Sequence, residues 1–213
     1  MKTEKYTEQV KRLPINGKQL IARKDGDNII VYQAFNKAIS NWAVTHQQFG
    51  GDAYSLNRMS WIKPGFLWMM YRSGWATKDH NQQCILAITL SLAHFKIILQ
   101  QATISSYDKK YFPSESSWKE ELAKTEVRLQ WDPDHDPFGN KQERKAIQIG
   151  LKGDILKSFC KEWILKIEDV TDFAKEQHQK VIGGNIEALD VPYEEVIYLN
   201  DHAIETRVGI RTD

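Results

Sequence analysis

The chain has 213 residues, room for one full domain with a sizeable core. Its 29 basic and 28 acidic residues nearly cancel, so no global field draws it to nucleic acid or a membrane surface, and any nucleic-acid contact has to be local. No apolar run reaches the ~20 residues of a membrane helix. The opening MKTEKYTEQVKR is too polar for a signal peptide, and Cys84 and Cys160 sit in apolar segments without metal spacing. A cytoplasmic protein with reduced core thiols and no membrane partner is expected.

Residues 1–17 are polar, end in PINGK and read as a loose lead-in. Two apolar runs then flank Asp25-Gly26, a hairpin signal. The second strand, about Asn28 to Phe35, would carry Tyr32 and Gln33 on opposite faces. Asn36 can cap a helix over 37–48, which Gly50-Gly51 ends; His46 reads as a helix-end histidine. The stretch 58–78, RMSWIKPGFLWMMYRSGWATK, has the clearest punctuation. Pro64 suits the first helical position and Gly74 the residue just past the end. The GFLWMMYRS between them is apolar on almost every side and reads as a buried helix.

Next, CILAITL (84–90) reads as a buried strand, and Ser91 caps a helix from Leu92 to about Gln101. Residues 102–117 are irregular, and Ser116 or Ser117 opens a helix with Trp118 and Leu122. TEVRLQW alternates as a strand, DPDHDPFGN is a turn-rich loop, and KAIQIGL, Lys145 to Leu151, is another strand. From Asp154, DILKSFCKEWILKI has the spacing of an amphipathic helix, and Thr171 caps the next one, to about Ile182. Residues 183–213 form a C-terminal extension on the same domain, with a strand in EEVIYLN and a weaker one around AIETRVGI. Strands and helices mix without strict βα alternation. The expectation is α+β, a single domain with a mixed, mostly antiparallel sheet and packed helices.

Arg58 and Lys63 precede the central helix, whose first N–H groups already favour anions. The helix entrance is therefore a candidate phosphate or carboxylate site; the plain alternative pairs these cations with acids elsewhere or in solvent. Arg72 suits the negative end of the helix dipole. Aromatics interleave with cations at Trp61, Lys63, Trp68, Tyr71, Arg72, Trp75 and Lys78, the parts of a single-strand groove. Trp68 and Tyr71 read as core, while Trp61 and Trp75 flank the helix and could be partly exposed. Asp132, Asp134 and Asp136 match positions 1, 3 and 5 of a calcium loop, with Asn140 at 9 and Glu143 at 12. Pro137 stands where the sharp turn needs glycine, so a solvated acidic turn is favoured and no metal is assigned. There is no G-x-S-x-G, no P-loop and no G-x-G-x-x-G. A thiol enzyme on Cys84 or Cys160 is disfavoured by their apolar surroundings.

IIVYQAFN, RMSWIKPGFLWMMYRSGWATK, LQWDPDHD, IQIGLKG and WILKIEDVT, in this order, resemble one widespread family of bacteria and fungi. It is catalogued as a domain of unknown function, four-two-nine-one, and its name carries no reaction. The resemblance covers residues 18–182, leaving 1–17 and 183–213 outside. Lys145 stands where the family pattern has arginine before the IQIGL strand, which weakens a bidentate role there. More distantly, the order of elements is similar to ADP-ribosyltransferase folds, where a first strand presents a polar residue to NAD and a later carboxylate orients the ribose. That likeness implies Tyr32 or Gln33 in the first role and Ser60 as the second-strand hydroxyl; nothing matches the catalytic glutamate.

The expected function is an enzyme binding a phosphate-containing nucleotide-type substrate, ADP-ribosyltransferase-like, with NAD as candidate cofactor. Its catalytic candidates are Tyr32, Gln33 and Asp132, the last to steady a ribose or act as base. Substrate-binding candidates are Arg58, Ser60, Trp61, Lys63, Arg72, Lys78, Lys145 and Gln148. The alternatives are a noncatalytic nucleotide or single-stranded nucleic-acid binding module and a structural or protein-interaction domain. The discriminating observation is whether Arg58, Lys63 and Tyr32 line one pocket with Asp132.

Overall fold

The computed structural model describes residues 1–210. The chain opens with strand β1 (Thr3–Lys5) and helix α1 (Tyr6–Arg12), so its start is not a loose lead-in. The order comes from the far end of the chain: β1 pairs with Asp190–Pro192, and the buried Gln9 amide donates to the Pro192 carbonyl at 2.8 Å. No local pattern announces such a pairing.

After β2 (Ile21–Ala22), the hairpin β3 (Lys24–Asp25) and β4 (Asn28–Phe35) turns at Gly26, which takes φ 58°. Helix α2 (Lys37–His46) starts at Asn36, whose side chain accepts the Ile39 N–H. Strand β5 (Ser60–Ile62) leads to the buried helix α3 (Phe66–Ser73), closed by Gly74 in the left-handed region. Strand β6 (Cys84–Ser91) runs into α4 (Leu92–Gln100), with Ser91 as the cap. Within 102–117 lie β7 (Ala102–Ile104) and the start of α5 (Glu115–Lys124), which opens at Ser114 rather than Ser116 or Ser117.

Strand β8 (Val127–His135) runs on through Asp132–His135, so only residues 136–140 form the expected loop before β9 (Lys141–Leu151). Pairing with β9 carries the strand through Pro133, opposite Lys145. The expected long helix stops early. Helix α6 (Gly153–Ser158) passes through a π turn into β10 (Ile164–Asp169), because the edge of β6 is open to it and pairs with it antiparallel. Helix α7 (Thr171–Ile182) is followed by β11 (Asp190–Pro192) and a two-residue β12 (Glu195–Val196). The stretch around AIETRVGI is not a strand but helix α8 (His202–Val208). Ile204 and Val208, four apart and both buried, have helical spacing, and Asp201 caps the helix through the Ile204 N–H.

Two four-stranded sheets result, in the orders β10-β6-β4-β3 and β5-β9-β8-β7, antiparallel except for β7 against β8. Ile29, Val31 and Ile88 of the first sheet share a core with Ile62, Leu129 and Ile149 of the second. On the other face of the first sheet, Ile30, Tyr32 and Ile85 pack with Phe66 and Met70 of α3 and Ala174 of α7. A backbone bridge joins the sheets: the Tyr32 N–H donates to the Lys63 carbonyl at 2.7 Å, and the Lys63 N–H to the Tyr32 carbonyl at 3.0 Å. The fold is α+β, with mostly antiparallel sheets and packed helices. Among the described residues no helix is long and apolar enough to cross a membrane.

Candidate functional site

Beside the Tyr32–Lys63 bridge lies an open cleft of about 680 Å³. Alternation along β4 explains one wall. Ile29 and Val31 enter the shared core, and Gln33, two residues further on, falls where that core ends and the cleft begins. The loop before β5 supplies Tyr54 and Arg58, β5 supplies Ser60 and Trp61, and α3 supplies Arg72. Gln130 and Gln148 stand directly opposite each other on β8 and β9, alternating with the core residues Leu129 and Ile149. Gly150 is required here: a Cβ would lie 2.9 Å from the Trp61 ring and 2.6 Å from the Met59 sulfur, so glycine lets the indole rest against β9.

Lys63 is the most unusual group. It is only 5% exposed, its ammonium donates to the Trp61 carbonyl at 3.3 Å, and among the described residues no carboxylate lies within ion-pairing distance. Burial, reinforced by the nearby Arg72 cation and opposed by Asp132, lowers its pKa to about 8. Arg58 and Arg72 are exposed and form no ion pair among the described residues. Three unpaired cations thus face one cleft, and a focused positive potential follows.

Gln33, 3% exposed, donates through Nε2 to Ser60 Oγ at 2.7 Å and to the Trp61 carbonyl at 3.2 Å, while its Oε1 is buried with no donor. Asp132 does not line the cleft but is gripped by two residues that do: Gln130 Nε2 and Gln148 Nε2 each donate to it at 2.8 Å. The Tyr54 hydroxyl accepts from Cys160 Sγ at 3.5 Å. Burial raises the Tyr54 phenol and pushes the Cys160 thiol up to about 11, so neither supplies an anion near neutral pH.

The structure therefore brings together Gln33, Arg58, Ser60, Trp61, Lys63, Arg72 and Gln148, with Asp132 one hydrogen bond away. It separates the rest. The Tyr32 side chain is fully buried on the opposite face, edge-on to Phe66 with ring centroids 5.4 Å apart, so only its backbone borders the site. Lys78 is exposed beyond the end of α3 and does not line the cleft. Lys145 borders a different, small cavity with Asp134, Arg144 and Glu194.

The helix entrance also differs from expectation. The Phe66 N–H at the start of α3 is taken by Glu194 Oε1 at 2.7 Å, and that carboxyl is buried, with a pKa pushed up to about 8 chiefly by desolvation. The three aspartates serve separately. Asp132 is gripped by the glutamines, Asp134 pairs with Arg144 at 2.6 Å, and Asp136 accepts the Phe138 and Asn140 N–H groups. Among the described residues no cluster of three or more His, Cys, Asp or Glu side chains is placed to hold a metal. Nor do the aromatics form one exposed row. Trp75 is buried, with Nε1 donating to the Pro137 carbonyl at 3.2 Å, whereas Tyr71 is 42% exposed and stacks on His135.

Tyr54, Gln130 and Glu194 are the residues that sequence reasoning missed. Gln130 had a signal, its alternation with Leu129 two positions before Asp132; the other two had none.

The family model described as Domain of unknown function (DUF4291) matches residues 19–198. The chain belongs to this family. No curated protein matches it. The DUF4291 match contains every cleft residue named above, and it runs past Ile182 to include Glu194.

Proposed function

We propose that this DUF4291 chain is an enzyme whose cleft takes a phosphate-containing, nucleotide-type substrate. The observation that carries the reading is Lys63, a buried ammonium with no carboxylate partner among the described residues, set beside Arg72. An unpaired buried charge is costly and is retained where a ligand completes it. A phosphate supplies the missing charge, and Arg58 and Arg72 can grip further oxygens. Trp61 and Tyr54 offer ring surface for a base. Asp132 stands behind the cleft wall and fixes the Gln130 and Gln148 amides that do line it, so its part is to position those two side chains. ADP-ribose transfer from NAD is the first reaction to test.

Calorimetry with NAD, ATP and inorganic diphosphate provides the binding test. Binding is expected, weakening as salt rises, with a loss of about tenfold or more in Lys63→Met. No heat from any of the three at millimolar concentration overturns the reading. Nicotinamide release from NAD then separates an ADP-ribosyl-transferring enzyme from a cleft that only binds.

A further inference from the structure

A glutamine amide carries both a donor and an acceptor end, and its neighbours decide which end faces a ligand. Four glutamines line this cleft, and the three that stand on strands, Gln33, Gln130 and Gln148, are turned the same way. A carboxylate accepts only, so Gln130 and Gln148 must present Nε2 to Asp132, each at 2.8 Å. A backbone carbonyl also accepts only, so Gln33 presents Nε2 to the Trp61 carbonyl at 3.2 Å and to Ser60 at 2.7 Å. None of the three Oε1 atoms receives a hydrogen bond from a described residue, and that of Gln33 is buried without a partner. A buried acceptor left unpaired is costly, so the position suits a ligand that supplies the donor. All three residues line the cleft that also carries Arg58, Lys63 and Arg72. One set of residues offers donors to an anion, and the other offers acceptors.

We propose that the free carbonyl oxygens of Gln33, Gln130 and Gln148 select a ligand that bears an N–H2 group on a planar ring, as an exocyclic amine or a carboxamide. The selection rests on the nucleotide-type reading above and extends it from the phosphate end to the ring end. Asp132, Ser60 and the Trp61 carbonyl hold the donor ends of the amides before the ligand arrives, which leaves the carbonyl ends as acceptors; the Gln33 oxygen, closed to solvent, is reached when the cleft wall shifts on binding. An analogue lacking the N–H2 group leaves the Gln33 oxygen buried and unpaired, and one bearing a carboxylate there sets negative charge against three acceptors.

Calorimetry on the full chain with two matched pairs tests this: AMP against purine riboside 5′-monophosphate, and nicotinamide mononucleotide against nicotinic acid mononucleotide. In at least one pair the N–H2-bearing member is expected to bind about tenfold more tightly or better. The pair that discriminates tells an exocyclic amine from a carboxamide. Equal affinities within both pairs overturn the selection and leave the phosphate reading standing, as does binding of inorganic diphosphate with no heat from the four nucleotides. No heat from diphosphate or any nucleotide overturns both. In Gln33→Met the discrimination should fall to about twofold or less. Retention of tenfold discrimination in a folded Gln33→Met removes Gln33 from the selecting set, and the nucleotide pairs on the unaltered chain decide the matter if that variant does not fold.

Discussion

A lysine held almost wholly out of water without a carboxylate partner weakens the fold that holds it, and its pKa carries the sign of the effect. The folded state releases the Lys63 proton near pH 8, whereas the unfolded chain keeps it to about 10.5. Between these values the unfolded state binds more protons, so stability rises with pH; below about pH 8 the full penalty is present. Lys63→Met removes the charge at similar volume. It should be more stable than the parent chain at pH 7 by about 1–3 kcal/mol in urea unfolding, the gain shrinking from pH 8 to 10.5. Equal or lower stability at pH 7 would show that a group of the protein already compensates the ammonium. That same variant is the one expected to lose phosphate binding, so stability and binding should move in opposite directions. The sequence named Lys63 as a candidate by its place before a helix, and the structure puts it at the cleft. It could not show that the ammonium has no carboxylate partner among the described residues, because ion pairs form between residues far apart in the chain.

Among the elements, α3 shows how a local pattern can be right about structure and wrong about chemistry. Its apolar run and Gly74 stop are legible in the sequence, and the helix forms over Phe66–Ser73 as a buried element. Its first N–H was expected to wait for an anion, but Glu194, 128 residues later, occupies it. The raised Glu194 pKa means that the folded state holds the proton up to about pH 8 while the unfolded chain loses it near 4.5. Stability should therefore fall as pH rises across that window. Glu194→Gln keeps an acceptor for the Phe66 N–H and cannot ionise, so it should match the parent chain near pH 4 and exceed it at pH 8 by about 1 kcal/mol or more. Glu194→Ala loses the cap and should cost about 1–2 kcal/mol at pH 4. Thermal unfolding of the three proteins at both pH values checks the order; a Gln variant less stable than the parent at pH 8 would mean that the carboxylate is the favoured form.

The whole molecule depends on its ends. Strand β1 pairs with β11 and β2 with β12, and Val191, Ile197, Leu199, Ile204 and Val208 are buried beyond residue 189. At roughly 1.5–3 kcal/mol for each buried side chain, these five contribute on the order of 10 kcal/mol, comparable with the net stability of a domain. Deletion of residues 190–213 should therefore abolish cooperative urea unfolding and flatten the near-ultraviolet circular dichroism. A sharp transition in the truncated chain would establish that the preceding residues fold alone.

Taken by itself, the sequence determined the period-two strand in β4, the caps at Asn36 and Ser91, the buried helix after Pro64 and the α+β class, because each follows from forces acting over a few residues. The tertiary structure alone decided that 164–169 is a strand, that α8 forms near the end of the described chain, that Tyr32 turns into the core and Gln33 borders the cleft, and that among the described residues Lys63 has no carboxylate partner and the Gln33 oxygen no donor. Those outcomes depend on which strand edge is open and which charges come within a few ångströms of one another, and both are set by contacts between residues that are distant in the chain.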